Sequence, residues 1–230
     1  MKKLFLLCFL TILTILSIVC TIIPSEVLAA SPLSKTEIQE TEQLLSNLGY
    51  WTGPVDGKWD DGSRHALIAF QKVTGRKRTG KLTTEELEAI QAAKPPLPYE
   101  GGDTHVEIDL HRQVLFIVNN GSVSHILPIS TGNNKFFTEG GRTRRAHTPE
   151  GRFKVYAKIN GWRKSPLGLL YYPCYIHKGI AIHGNPSVPA YPASHGCIRI
   201  PMHAAKQFSE MIPIGMEVII HSGLIATTSQ

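Results

Sequence analysis

The run Ser194-His195-Gly196-Cys197-Ile198-Arg199, with Ile182-His183-Gly184 upstream of it, concentrates the residue types that nucleophilic acyl chemistry needs. A cysteine nucleophile requires a nearby base to make thiolate, backbone donors for the oxyanion formed on attack, and a group that holds the substrate. Cys197 supplies the thiol, His183 and His195 are the candidate bases, the amides of Gly196 and Cys197 can face one oxygen, and Arg199 offers a fork for a carboxylate. Spacing alone does not choose between the histidines. His195 shares a face with Cys197 if the segment is extended, whereas His183 must arrive on another strand. A lone cysteine is most often a small buried hydrophobe; two histidines and an arginine around the same thiol favour reactivity instead. Zinc is the competing use of His177, His183, His195 and Cys197, but their spacing matches no standard ligand pattern, so no metal and no cofactor are expected.

His183-Gly184 followed by Ser194 to Arg199 resembles the signature of the L,D-transpeptidase (YkuD-type) family of peptidoglycan cross-linking enzymes, with supporting features over about residues 103–221. The resemblance implies that Cys197 attacks the carbonyl following a meso-diaminopimelate or similar residue in a tetrapeptide stem. D-alanine leaves, a thioacyl-enzyme forms, and an amine of a second stem takes the acyl group in a 3-3 type cross-link. It assigns the base to His183. No carboxylate neighbours His183 in the sequence, so the Gly184 carbonyl is the expected orienting group, with Asn185 as runner-up. Gly196 is the expected oxyanion-hole amide, His195 lines the site, and Ser194 and Arg199 are expected to serve substrate binding. As an imidazolium, His183 would pull the Cys197 pKa below the free value of about 8.5. Two alternatives are an L,D-carboxypeptidase, in which water takes the acyl group, and a non-catalytic wall-binding protein. His183 and Cys197 stand closer than in many members, Asn185 replaces a frequent threonine and Ala204 a frequent acid, departures that bear on acceptor specificity.

The elements that position these residues are legible in part. Lys2-Lys3, an apolar run at 4–23 and small residues at Ala29-Ala30 have the order of a secretory signal over 1–30, and the length of the run also suits an uncleaved membrane anchor. Either outcome makes the protein extracytoplasmic, secreted or wall-associated. Cys8 and Cys20 fall in that segment, leaving Cys174 and Cys197; a disulfide between them would silence the nucleophile, and Cys174 is read as packing. Residues 33–93 read as a three-helix domain, with capping boxes at Ser34–Glu37 and Thr83–Glu86 and a Gly/Pro-rich turn at 53–62 between helices. Leu48-Gly49-Tyr50-Trp51, Gly53 to Gly57, Phe70-Gln71 and Thr79-Gly80 resemble a peptidoglycan-binding domain, which implies glycan or stem peptide as its partner.

A Pro/Gly linker at 94–103 precedes a domain at 104–222 in which the apolar period becomes two, and 223–230 is a tail. Val106 to Leu110, Val114 to Val118, Val123 to Ile129, a strand carrying Phe153, Val155 and Ile159, then 180–182, 198–200 and 216–220 are the expected strands, with an Asn119-Asn120-Gly121 hairpin and one helix at Met202–Met211. The fold class expected is α+β, a small helical bundle followed by a mostly-β sandwich-like domain. The 131–147 loop is expected to border the cleft without structure of its own. The net charge of +6 suits an anionic partner. Nucleic acid has no motif support, and Arg142 to Arg145 read as a solvated loop.

Overall fold

The computed structural model describes residues 33–223, all within one compact unit, Pro32–Gln230. The leader and anchor expected at 1–30 and the tail beyond residue 223 lie outside the described residues. Among the described residues no helix is long and apolar enough to cross a membrane.

Three helices come first: α1 (Lys35–Asn47), α2 (Asp61–Val73) and α3 (Thr84–Gln91). Ser34 and Glu37 close a reciprocal capping box on α1. Thr83 caps α3 through the Glu86 amide, but the Glu86 carboxylate turns to Arg76 at 3.0 Å instead of completing a box. Buried Glu42 accepts the Gly57 amide at 2.9 Å and the Ser63 hydroxyl at 2.6 Å, which ties the Gly/Pro-rich turn to α1 and α2. Tyr50 and Trp51 are 3% and 8% exposed, so both are packing residues.

In chain order there follow β1 (His105–Asp109), β2 (Val114–Asn119), β3 (Ser122–Pro128), β4 (Phe136–Glu139), β5 (Arg142–Arg145), β6 (Gly151–Lys154), β7 (Ala157–Lys158), β8 (Trp162–Ser165), β9 (Gly168–His177), β10 (Ile180–Asn185), β11 (Ile198–Pro201), α4 (Met202–Met211) and β12 (Glu217–His221). One sheet runs β3-β2-β1-β12-β6; the other runs β11-β10-β9-β7, with β8 on β9. Most pairs are antiparallel, but β1 lies parallel to β12 and β10 parallel to β11. The β2–β3 hairpin turns at Asn120 and Gly121, both at positive φ, as the Asn-Gly signal demands.

The two sheets enclose one core, in which Ile108, Leu115 and Ile220 of the first meet Ile182, Ile198 and Ile200 of the second, together with Phe208 of α4. β2 explains how the helices attach. Its residues Leu115 and Ile117 point into the sandwich, while Val114, Phe116 and Val118 point the other way and pack with Leu45, Leu67, Phe70 and Ile90 of the helices. The first sheet is therefore buried on both faces, which is why β2 is apolar at consecutive positions rather than alternating. Backbone pairing extends the attachment, since the Trp51 amide donates to Ile126 and the Ile126 amide to Gly49. The 94–103 segment is tied down as well: the Tyr99 and Glu100 amides donate to the buried Glu107 carboxylate at 2.8 and 2.7 Å, and Tyr99 stacks on His221.

The strand expected through Phe153, Val155 and Ile159 is two strands. β6 pairs with β12 in the first sheet and β7 with β9 in the second, so the chain crosses between sheets at buried Val155. The 131–147 segment carries the β4–β5 hairpin, with Arg142–Arg145 as its second strand.

Candidate active site

The parallel pair β10–β11 sets the site. Ile182 stands opposite Ile198, both 0% exposed in the core, so His183 and Arg199, one residue on, face away from it on adjacent strands. A cavity of about 540 Å³ opens there, lined by His183, Ser194, His195, Cys197, Arg199 and Asn185. Most side chains singled out in the sequence thus converge on one space, whereas His177 packs instead on Phe153 with ring centroids 5.0 Å apart. Cys174 lies elsewhere, fully buried in the core with its sulfur 3.6 Å from the Ser209 hydroxyl, and both thiols are free.

His183 is 4% exposed, and its Nδ1 lies 2.9 Å from the Gly184 carbonyl. A carbonyl only accepts, so Nδ1 carries the proton and Nε2 is the lone-pair end of the neutral ring. Burial, reinforced by the Arg199 charge and opposed by the Gly184 bond, holds the imidazole pKa down to about 4. Burial also raises the Cys197 thiol, while a hydrogen bond from the Ala181 amide and the Arg199 charge pull it back. Both shifts favour uncharged forms. They run against the imidazolium–thiolate pair expected from sequence, because neither charge is well solvated here.

The loop that carries Cys197 is held from several sides. Ser194 donates its hydroxyl to the Cys197 carbonyl at 2.5 Å and accepts the Gly196 amide at 3.0 Å. The Gly196 N–H, expected to face an oxyanion, is thus hydrogen-bonded inside the loop here, and Ser194 joins Gly196 to Cys197. Gly196 sits at φ +131°, and a Cβ there would meet the His147 carbonyl at 3.0 Å, so both conformation and space call for glycine. The Thr148 hydroxyl, buried, donates to the Gly196 carbonyl at 2.8 Å and accepts the Gly132 amide at 2.9 Å. His195 is exposed and takes the Phe137 ring edge-on at 4.7 Å.

Arg199 is half-buried and belongs to no ion pair among the described residues. It is free for an incoming anion. Arg144, Arg145, Arg163, Lys164 and Lys178 line the same cavity against a single carboxylate, Glu139, so the space is strongly cationic. Arg144 and Arg145 of β5 thus border the cavity, on a strand whose residues are all exposed and which stands in place of the expected loop. Sequence reading missed this wall, the Thr148 clamp and the Phe137 contact. The run Thr148-Pro149-Glu150-Gly151 is a local turn signal that points to Thr148; Arg163 and Lys164 carry no local signal. Among the described residues no group of three or more His, Cys, Asp or Glu side chains is arranged to hold a metal ion.

Comparison with known proteins agrees with this geometry. Residues 103–220 match the L,D-transpeptidase catalytic domain family, YkuD, and residues 34–90 a putative peptidoglycan-binding domain. An L,D-transpeptidase structure from Xylanimonas cellulosilytica is similar at 36% identity and a TM-score of 0.77, over 84% of this chain and 94% of that one. One from Stackebrandtia nassauensis is 22% identical at a TM-score of 0.48, over 86% and 96% of the two chains. No curated protein matches the chain.

Proposed function

Since the chain belongs to the L,D-transpeptidase (YkuD) family, we propose that it cross-links peptidoglycan stems through a thioacyl-enzyme on Cys197. The observation that carries this reading is the cavity in which a cysteine, a histidine whose Nδ1 is tied to a carbonyl, and an unpaired arginine meet. The Cys197 proton passes to His183 Nε2 as the sulfur bonds the stem carbonyl carbon. The oxyanion is received by the Cys197 amide, which takes the place first given to Gly196. Collapse breaks the peptide bond, and the D-alanine amine leaves with the proton from His183. An amine of a second stem then attacks the thioester and gives up its proton to His183; the released thiolate recovers it. Covalent catalysis of this kind preserves the energy of the peptide bond in the thioester, so no nucleotide is needed outside the cell.

A neutral resting pair suits general-base attack, in which charge appears only as the bond forms. Arg199 is assigned to a stem carboxylate, and the cationic wall to the remaining carboxylates of the donor. The helical module is assigned to wall attachment, and the 1–30 segment to export.

Incubation with disaccharide-tetrapeptide and mass spectrometry tests the reading. Cross-linked dimer with one D-alanine released per bond is expected, and Cys197→Ala should give neither. Release without dimer would replace the transferase by the carboxypeptidase; activity in Cys197→Ala would end the mechanism.

A further inference from the structure

Lys72 of α2 is a buried contact of the helical module with the β domain. It is 1% exposed, and its Nζ donates to the Gln113 carbonyl at 2.9 Å and the Ile129 carbonyl at 2.8 Å, with no carboxylate paired to it among the described residues. Burial, and secondarily the Arg78 charge, hold its pKa down to about 7. A buried amine is costly to keep, so what it holds is informative.

From Gln113 an unbroken series of hydrogen bonds reaches the nucleophile. The Gln113 side chain donates to Thr131 Oγ1 at 2.8 Å and accepts the Thr131 amide at 3.0 Å. The Thr131 carbonyl accepts the amides of Ala193 and Ser194 at 3.0 and 2.9 Å. Ser194 in turn braces Gly196 and Cys197. Gln113 itself sits at φ +62°, a conformation that a non-glycine residue keeps only when its surroundings impose it. A second strand of contacts runs beside the first. Ser130, next to Ile129, exchanges two backbone bonds with Arg199, and Arg78 of the helical module donates to the Ala190 carbonyl at 2.9 Å.

We propose that Lys72 is a positioning residue through which the helical module holds the Gln113–Thr131 support of the Cys197 loop, so that the module acts on catalysis as well as on attachment. The kinetic half of this rests on Cys197 being the nucleophile; the positional half does not. Lys72→Met in the full chain keeps the stem and removes the donors. Three quantities are read: carbamidomethylation of Cys197 by iodoacetamide, followed on its own peptide with buried Cys174 as internal control; kcat and KM for D-alanine release; and the thermal midpoint.

The expected result is a fall of about tenfold or more in kcat, with KM near the parent's and a parallel fall in Cys197 alkylation. Thr131→Val, which removes one of the two Gln113–Thr131 bonds, should act in the same direction, and the double variant should lose less than the product of the two. A lower thermal midpoint with unchanged kcat and alkylation would make Lys72 a stability residue only and overturn the proposal, as would full independence of the two variants. If Lys72→Met does not fold, Thr131→Val decides, and parent-like kcat and alkylation in it overturn the proposal. If the parent releases no D-alanine yet Lys72→Met slows alkylation, the functional reading fails and the positioning role stands.

Discussion

Acidification tests whether His183 keeps the lowered pKa that its burial gives it. The His183 imidazole is held from 6.5 down to about 4, chiefly by burial. A folded pKa below the unfolded one means that the unfolded chain takes the proton first as pH falls, so the contribution to stability is complete above about 6.5 and is lost on the way to about 4. At ~1.4 kcal/mol per pH unit, the full displacement is worth about 3 kcal/mol, most of it gone by pH 4.5. Urea unfolding of the parent and of His183→Gln at pH 7 and 4.5 isolates the effect. The parent should lose about 2–3 kcal/mol more than the variant over that interval. The comparison is needed because His65 is also held down to about 4, and His125 and His203 are lowered by burial. Activity should follow the same group: the acid limb of kcat/KM should lie near 4, where His183 Nε2 gains a proton, and not near 6.5. Equal acid losses in the two proteins, or a limb at 6.5 or above, would refute the lowered His183 pKa.

Thr148→Val removes the hydroxyl that joins the Gly196 carbonyl to the Gly132 amide, leaving two buried backbone groups unpaired at about 1–3 kcal/mol each; urea unfolding should register the loss, and amide exchange should quicken at Gly132. Gly184→Ala would bring a Cβ to 2.6 Å from the Ala205 Cβ, overpacking worth about 1–3 kcal/mol, and adding Ala205→Gly should recover part of the thermal midpoint where a clash is the cause. The cationic wall predicts that rising salt lowers kcat/KM, and that Arg163→Gln with Lys164→Gln weakens the salt response; exposed charges are each worth about 0.2–1 kcal/mol, so the double variant should lose between about twofold and thirtyfold. A donor with amidated carboxylates should be turned over more slowly than one with free carboxylates, with the gap narrowing in that variant.

What could be read from sequence follows the range of the interaction. Ser34 with Glu37, Asn120 with Gly121, and the α4 stretch behind Pro201 are local arrangements, and each forms as its spacing predicts. The convergence of His183 and Cys197 is not local, but a specific run of residues carried it. The failures are those in which a residue's surroundings come from far along the chain. Val155 sits in a periodic apolar run, yet two sheets compete for that run and divide it. The shift of His183 and Cys197 toward their uncharged forms comes chiefly from burial, to which the residue types are silent. Lys72 is the clearest case. On α2 it follows Phe70 and Gln71 in the last turn, where a basic residue ordinarily complements the helix dipole in water. Its acceptors are carbonyls at 113 and 129, groups that every residue possesses and that no residue type announces. Only the docking of α2 on the outer face of the first sheet turns an apparently solvated lysine into a buried donor. The same docking makes the helical module and the β domain share a core through Val114, Phe116 and Val118, so removing the module would strip one face of the sheet whose strands lead into the nucleophile's support. A catalytic domain produced without residues 33–93 should therefore lose thermal stability and Cys197 reactivity together, whereas a merely tethered module would leave both intact; calorimetry and the alkylation rate on the shortened chain separate the two.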